Sequence, residues 1–287
     1  MEPFGLLNVL KPPGMTSHDV VGYARRVLHT RRVGHGGTLD PAACGVMAVA
    51  VGKATRLLPY LQTDKRYTAE VAFGVATDSL DAEGQVVARA DASALTREAL
   101  EQALVPFRGA ITQRPPMTSA VHVGGKRLYE LARAGVALAE HEIPTREVAI
   151  HDLRLLDFTP GPRAVARLAI ACSAGTYIRS LAADLGAALG LPASLAFLLR
   201  DGAGTLAIAD SQTLDELAAS PNFLPESQWL GHLPAHTLDV QGLEDIRHGR
   251  RVPGAYTAET VRLHAPDGTL VALARPVDQL LQPVLVL

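Results

Sequence analysis

Aromatic residues make up only 5% of the 287 positions, and cysteine is rarer still, with two. Cys44 and Cys172 stand far apart, with no Cys or His at a zinc-binding spacing. Neither a disulfide framework nor a metal site is therefore indicated, and both read as buried free thiols. No apolar run approaches the roughly 18 residues that a membrane span needs; 46–51 is typical and far shorter. The first residues lack a basic stretch followed by an apolar run and a cleavage site, so no signal peptide, no membrane segment and a cytoplasmic location are expected. Also missing are a Gly-Lys-Ser/Thr phosphate loop, a glycine fingerprint behind a strand, and a Gly-x-Ser-x-Gly nucleophile elbow. A general basic excess is absent too, because the net charge is −2. On its own that does not announce a nucleic-acid binder.

What is present is a chain able to bury a core: 48% hydrophobic and 20% charged residues exclude long disorder. Its length points to one large domain with a small appendage, and a reset of composition near Leu233-Pro234 sets the expected boundary between 1–232 and 233–287. The charge is unevenly spread. Residues 1–67 carry nine basic against four acidic side chains, a net +5; residues 108–146 carry +3, and the remainder −10. Two basic segments on an otherwise acidic chain fit phosphate contact, or simply a solvated charged face.

Residues 5–10 read as a strand ended by Lys11-Pro12-Pro13-Gly14, since proline cannot continue a ladder. Ser17 is the expected N-cap of a helix whose stripe is Val20, Val21, Ala24, Val27 and Leu28. Residues 31–41 hold three glycines and a proline and are expected to be loop, before a buried strand at 45–51. A short helix at 54–61 and an alternating strand at 67–73 follow, then a polar turn at 78–84 and a strand at 85–88. Beyond these come a helix at 96–104, a strand at 108–112, a glycine turn at 124–125 and a basic helix near 127–134. Residues 148–158 and 164–172 form an antiparallel pair, and 176–189 a helix. In the tail, 261–263, 270–274 and 284–287 read as strands. Without a regular βαβ rhythm, the class is α+β with a mixed, mainly antiparallel sheet and a small β-rich C-terminal domain.

The candidate site is Val33-Gly34-His35-Gly36-Gly37-Thr38-Leu39-Asp40-Pro41, an imidazole and a carboxylate five residues apart on a glycine-rich loop. Loops on rigid scaffolds carry chemistry. Spacing alone leaves open a Ser-His-Asp arrangement, and also an Asp40 that merely caps the turn before Pro41. A metal site would want further ligands, and His29 with His35 lacks the spacing of a helical pair.

Longer motifs narrow this. Lys11 to Ser17, the loop itself, Lys65-Arg66-Tyr67, Thr77-Asp78-Ser79, Asp81-Ala82-Glu83-Gly84, Gln113-Arg114-Pro115-Pro116, Ser119-Ala120, Gly125 to Gly135 and Cys172 to Leu181 occur in that order. Together they resemble the bacterial tRNA pseudouridine-55 synthases, the B-type pseudouridine synthase family. The resemblance is strong over residues 5–206 and weak in the tail, where Ile246 to Val252 is similar to a degenerate PUA-type RNA-binding domain.

The resemblance implies that Asp40 is the catalytic aspartate, that Arg179 pairs with it, and that Tyr67 stacks on the target uracil. It makes Tyr177 and Leu198 further pocket walls, and His35 the residue filling the space that an extruded base leaves. Lys11 and Pro12 would frame the loop, and 124–146 would be an insertion that grips RNA. The partner implied is the T-arm stem-loop of tRNA, bound by a monomer with no guide RNA and no membrane. No cofactor is expected, because a glycosidic C–N bond is exchanged for C–C within one nucleotide. Asp40 could attack the anomeric carbon, remove a ribose proton or add to the uracil ring. All three need an ionised carboxylate against a flipped base. An RNA-binding protein with dispensable catalysis, and a related synthase acting on another RNA, are the alternatives. The chain departs from the family at Ser194, Leu199, Asp201, Leu206 and His122, which bears on local RNA affinity or strand packing more than on catalysis.

Overall fold

The computed structural model describes residues 3–287 apart from 120 and 137, so the Ala120 half of the Ser119-Ala120 pair lies outside the described residues. The chain opens with strand β1 (Gly5–Lys11), helix α1 (Ser17–Val27), strands β2 (Val33–His35) and β3 (Cys44–Val51), a 3-10 segment (Gly52–Tyr60) and strand β4 (Lys65–Phe73). Next come the ribbon β5 (Val75–Thr77) and β6 (Val86–Arg89), helix α2 (Arg97–Leu104), strand β7 (Gly109–Gln113), the ribbon β8 (His122–Val123) and β9 (Lys126–Arg127), and helix α3 (Leu128–Arg133). Strands β10 (Arg146–Thr159) and β11 (Val165–Cys172), helix α4 (Ile178–Ala188), strands β12 (Ala193–Ala203) and β13 (Leu206–Ala207), helix α5 (Leu214–Ala219), strand β14 (Phe223–Leu224) and helix α6 (Glu226–Leu230) complete this part.

Ten strands form one sheet, ordered β14-β1-β3-β12-β4-β11-β10-β7, with β2 on β3 and β13 on β12. Among the described residues its pairings are antiparallel except that of β3 with β12. The class is therefore the expected α+β with a mixed, mainly antiparallel sheet. Burial explains the sequence patterns. On one face of β1 and β3, Leu7, Val9, Met47 and Val49 pack on Val20, Val21 and Ala24 of α1; on the other, Leu6, Ala48 and Ala50 pack on Leu206, Trp229 and Leu230. Strands covered on both faces read as unbroken apolar runs. Strand β4 buries one face only, and its alternation of Tyr67, Ala69, Val71 and Phe73 follows.

Three expectations need correction, and one strand has no counterpart among them. The 31–41 loop contains β2, which pairs Val33, Gly34 and His35 with Val51, Ala50 and Val49; three residues are too few for alternation to show. Thr16, not Ser17, caps α1, in a reciprocal box with Asp19. The 54–61 helix is the 3-10 segment Gly52–Tyr60, with Pro59 withholding a donor inside it. The central strand β12 escapes periodicity altogether, because register shifts between Leu195 and Phe197 and between Arg200 and Gly202 put its alternation out of phase.

The C-terminal residues add β15 (Ala235–Thr237), helix α7 (Val240–Arg247), β16 (Val252–Pro253), β17 (Val261–His264), β18 (Leu270–Val277) and β19 (Leu280–Val286). These strands form a five-stranded sheet, ordered β15-β17-β18-β19-β16. Leu270, Leu273 and Leu285 share a core with Leu6, Ala48, Trp229 and Leu230 of the first part.

Candidate active site

Asp40 sits on the loop between β2 and β3, and side chains hold that loop from three sides. Lys11, at the end of β1, is fully buried, and its Nζ donates to the carbonyls of Pro12 (2.9 Å), Met15 (2.5 Å) and Pro41 (3.1 Å). Burial pushes its ammonium pKa down. Ser17 Oγ accepts the Leu39 N–H at 2.8 Å, and the Gly14 N–H donates to the Pro41 carbonyl at 2.8 Å. From inside the sheet, buried Arg200 of β12 donates Nε to Val46 O (2.7 Å), Nη1 to Thr38 O (3.2 Å) and Nη2 to Gly37 O (3.2 Å). The planar fork of an arginine can hold three carbonyls at once. Gly45 makes this possible. Its φ is +118°, and a Cβ there would lie 2.2 Å from the Arg200 carbonyl oxygen, so only glycine lets β3 run this close to β12.

The carboxylate meets Arg179, the second residue of α4. Arg179 Nη2 donates to Asp40 Oδ1 at 2.8 Å; the guanidinium side chain is 5% exposed and the carboxylate 34%. The same guanidinium reaches Ser79 O (3.2 Å), Thr118 O (3.3 Å), the Thr118 hydroxyl and, at 3.7 Å, the Asp81 carboxylate. Asp81 is itself fixed by the Ser79 hydroxyl (2.5 Å) and the Glu83 N–H (3.1 Å). Arg179 thus ties three distant segments to one helix. Burial pushes the Asp40 carboxyl pKa up; Arg179 pulls it down, Asp81 adds to the rise and Lys11 opposes it. A carboxylate opening on one side to solvent, with its other side neutralised, can act as nucleophile or base.

Tyr67 and Leu198 are each 8% exposed and belong to one apolar cluster with Leu39, Ala43, Ile170 and Ile178. Tyr67 stands across from Arg200 in the β4–β12 register, and burial pushes its phenol pKa up while the Arg200 charge opposes the rise. Tyr177 caps α4. Buried Gln113 holds its backbone twice, accepting the Tyr177 N–H (2.9 Å) and donating to its carbonyl (3.2 Å), and the Arg146 guanidinium lies 5.2 Å from its ring centroid. His35 ends β2, where its Nδ1 accepts the Gly37 N–H at 3.4 Å; burial first, then Arg200, push its pKa down, which favours the neutral ring.

The structure therefore joins Asp40 directly to Arg179, places Tyr67 and Leu198 in the wall beside Leu39, and sets Tyr177 at the start of the same helix as Arg179. His35 lies at the far end of the loop, against Gly37. Sequence reasoning gave no structural role to Asp81, Thr118, Gln113 or Arg200, although Asp81 and Gln113 stand inside the quoted motifs. Two departures find local partners: Asp201 accepts the Thr68 hydroxyl at 3.0 Å, and Leu206 fills the core. Among the described residues, no group of three or more His, Cys, Asp or Glu could hold a metal ion.

The chain is a pseudouridylate synthase by its family model, and in fold it is similar over 96% of its length, with a TM-score of 0.69 and 27% identity, to a chain in the crystal structure of a Cbf5-Nop10-Gar1 complex, of which it covers 78%. A chain from an H/ACA RNP bound to a substrate RNA shares the fold at TM-score 0.72, with 24% identity and coverage of 99% and 84%. More narrowly, it belongs to the TruB family of pseudouridylate synthases, whose N-terminal domain matches residues 25–178; residues 233–287 match the C-terminal domain of tRNA pseudouridine synthase II. Similar relatives are tRNA pseudouridine synthase B of Symbiobacterium thermophilum, 53% identical over 86% of this chain and 83% of the relative, and of Moorella thermoacetica, 48% identical over 94% and 93%. That of Synechocystis is 44% identical over 99% of both.

Proposed function

We propose that this chain isomerises one uridine of tRNA, position 55 in the T-arm loop, to pseudouridine, with Asp40 as the catalytic carboxylate and without a cofactor. One observation carries the reading: a partly exposed carboxylate, paired at 2.8 Å with a buried guanidinium, follows Leu39, which shares an apolar cluster with Tyr67. The relatives named as tRNA synthases supply the substrate class.

The reaction needs little else. The uracil leaves the ribose through N1 and rejoins it through C5; the C5 proton is given up and N1 gains one, so the product is an isomer. Attack at the anomeric carbon, removal of a ribose proton and addition to the ring all begin with an ionised Asp40, which Arg179 maintains against burial. Tyr67, Leu198 and Tyr177 form the walls that receive the flipped base, and His35 takes the space it leaves. Flipping costs a few kcal/mol and is easiest from a loop. Residues 1–232 act as the catalytic domain, the basic 124–146 region grips the RNA, and 233–287 serve as a PUA-like domain. The enzyme works in the cytoplasm, as a monomer and without a guide RNA.

Incubation of unmodified tRNA with the protein alone, followed by mapping of pseudouridine, is expected to show one product site in the T-arm loop. Tight binding without isomerisation, or turnover only with an added guide RNA, overturns the proposal.

A further inference from the structure

Lys65 opens β4 two residues before Tyr67, and the two-residue repeat of a strand puts both side chains on one face of the sheet. There it passes the glycine loop: a Cβ built on Gly37 would lie 3.6 Å from Lys65 Cε and 3.6 Å from Arg200 Nη1. It also lines a cavity of about 10 Å³, with Gly36, Gln62 and Thr205 beside it and Leu6, Ala48 and Trp229 as apolar walls.

Its neighbours use their charge on the protein itself. Lys11 and Arg200 each hold three carbonyls, and Arg66 donates to the carbonyls of Gly204 and Leu206, both at 3.3 Å. Lys65, among the described residues, makes no side-chain hydrogen bond and no ion pair. The groups facing it are Arg200 from β12, Cys172 from β11 and Asp64 just ahead of β4, the last lying 3.5 Å from His151 of β10. Burial, then Arg200, hold its ammonium pKa down to about 8, while Asp64 pulls the other way. Cys172, pushed up to about 11 by burial, is a neutral thiol and no counter-ion. A half-buried cation beside a second cation is relieved by an incoming anion.

We propose that Lys65 is a phosphate anchor of the cleft, its ammonium taking a backbone phosphate next to the extruded nucleotide on the Gly37 side of the catalytic loop. This rests on RNA being the substrate. Phosphate contacts fix register and orientation without reading sequence, so Lys65 is a positioning residue that holds the strand while the base turns into the pocket. Gly37, with no side chain, leaves the approach open.

The test compares Lys65→Met and Lys65→Arg with the parent, using unmodified tRNA. Affinity is measured by filter binding in an Asp40→Asn background, where turnover plays no part, and KM and kcat in the active one. Lys65→Met is expected to raise Kd and KM about tenfold, with kcat much less affected, and to flatten the slope of log K against log salt by just under one. The parent's affinity should weaken as pH rises through about 8. Lys65→Arg, which keeps its charge, should hold its affinity across that range and also shows that the strand tolerates the change. An unchanged salt slope in Lys65→Met overturns the anchor, as does a loss confined to kcat or the same pH dependence in Lys65→Arg as in the parent. Absence of pseudouridine with the Lys65-dependent slope intact would instead overturn the isomerase reading alone.

Discussion

At Asp40 a carboxylate loses water on its buried side and gains a guanidinium there, and the two effects oppose each other. Burial is the larger, so the native carboxyl keeps its proton to a higher pH than an ordinary aspartate. This group favours the fold below its unfolded-state pKa, and the contribution is lost as pH rises through the native one. Asp40→Asn removes that penalty at neutral pH and leaves Arg179 with Asp81, Thr118 and Ser79. It is expected to abolish pseudouridine formation while shifting unfolding free energy by no more than about 1 kcal/mol, as denaturant titration would show. Arg179→Met leaves Asp40 and Asp81 facing each other without a cation, which raises the Asp40 pKa further. The rate at neutral pH should drop about a hundredfold, with residual activity climbing with pH where the parent is flat. A pH–rate profile with an unmoved acid limb would refute the pairing role. Little of this was legible from spacing. Asp40 and Arg179 are 139 positions apart, and only the family motifs bring them together. In Lys11-Pro12-Pro13-Gly14 the prolines announce a turn, but nothing in the pattern says that the ammonium folds back onto Pro41.

Among the elements, the crossing of β3 and β12 matters most to the site. Arg200 and Gly45 are paired there, in a parallel ladder that brings the arginine's backbone against β3 while its side chain holds Gly37 and Thr38. Gly45→Ala would place a methyl group 2.2 Å from a backbone oxygen at a left-handed φ, and backbone cannot give way as a flexible side-chain tip can. A loss of about 3 kcal/mol or more is expected, measured by chemical denaturation; a variant unfolding at the parent's midpoint would show the strands to be farther apart. Strand visibility in the sequence follows burial and regularity. Strand β4, half-buried and regular, declares itself, and β1 and β3 do so as apolar runs, whereas β12 contains two bulges and shows no period although it is the sheet's centre. At the start of α1, Thr16 and Ser17 are both competent caps by residue type, and Thr16 takes the role because the Ser17 hydroxyl is engaged by Leu39.

For the whole molecule, the composition change near Leu233 marks where the second sheet begins but says nothing of how that sheet is held. Its Leu270, Leu273 and Leu285 sit in one core with Leu6, Ala48 and Leu230. Polar contacts bridge the same junction: Glu226 accepts from Arg262 at 2.7 Å and lies 3.0 Å from His264, and Arg56 donates to the Val286 carbonyl at 2.6 Å. A segment of this size is near the lower limit for independent folding, and here part of its apolar surface is covered by the first sheet. The two parts should therefore unfold together. Trp229, the single tryptophan of the sequence, is buried in this junction, so its fluorescence reports the contact while far-ultraviolet dichroism reports both sheets. The two thermal curves are expected to coincide, and Leu273→Ala, which empties a fully buried site, should cost about 2–5 kcal/mol and move both curves by the same amount. If the fluorescence change preceded the dichroism change, or if Leu273→Ala shifted only one of them, the C-terminal sheet would be a separately folding unit leaning on the catalytic one.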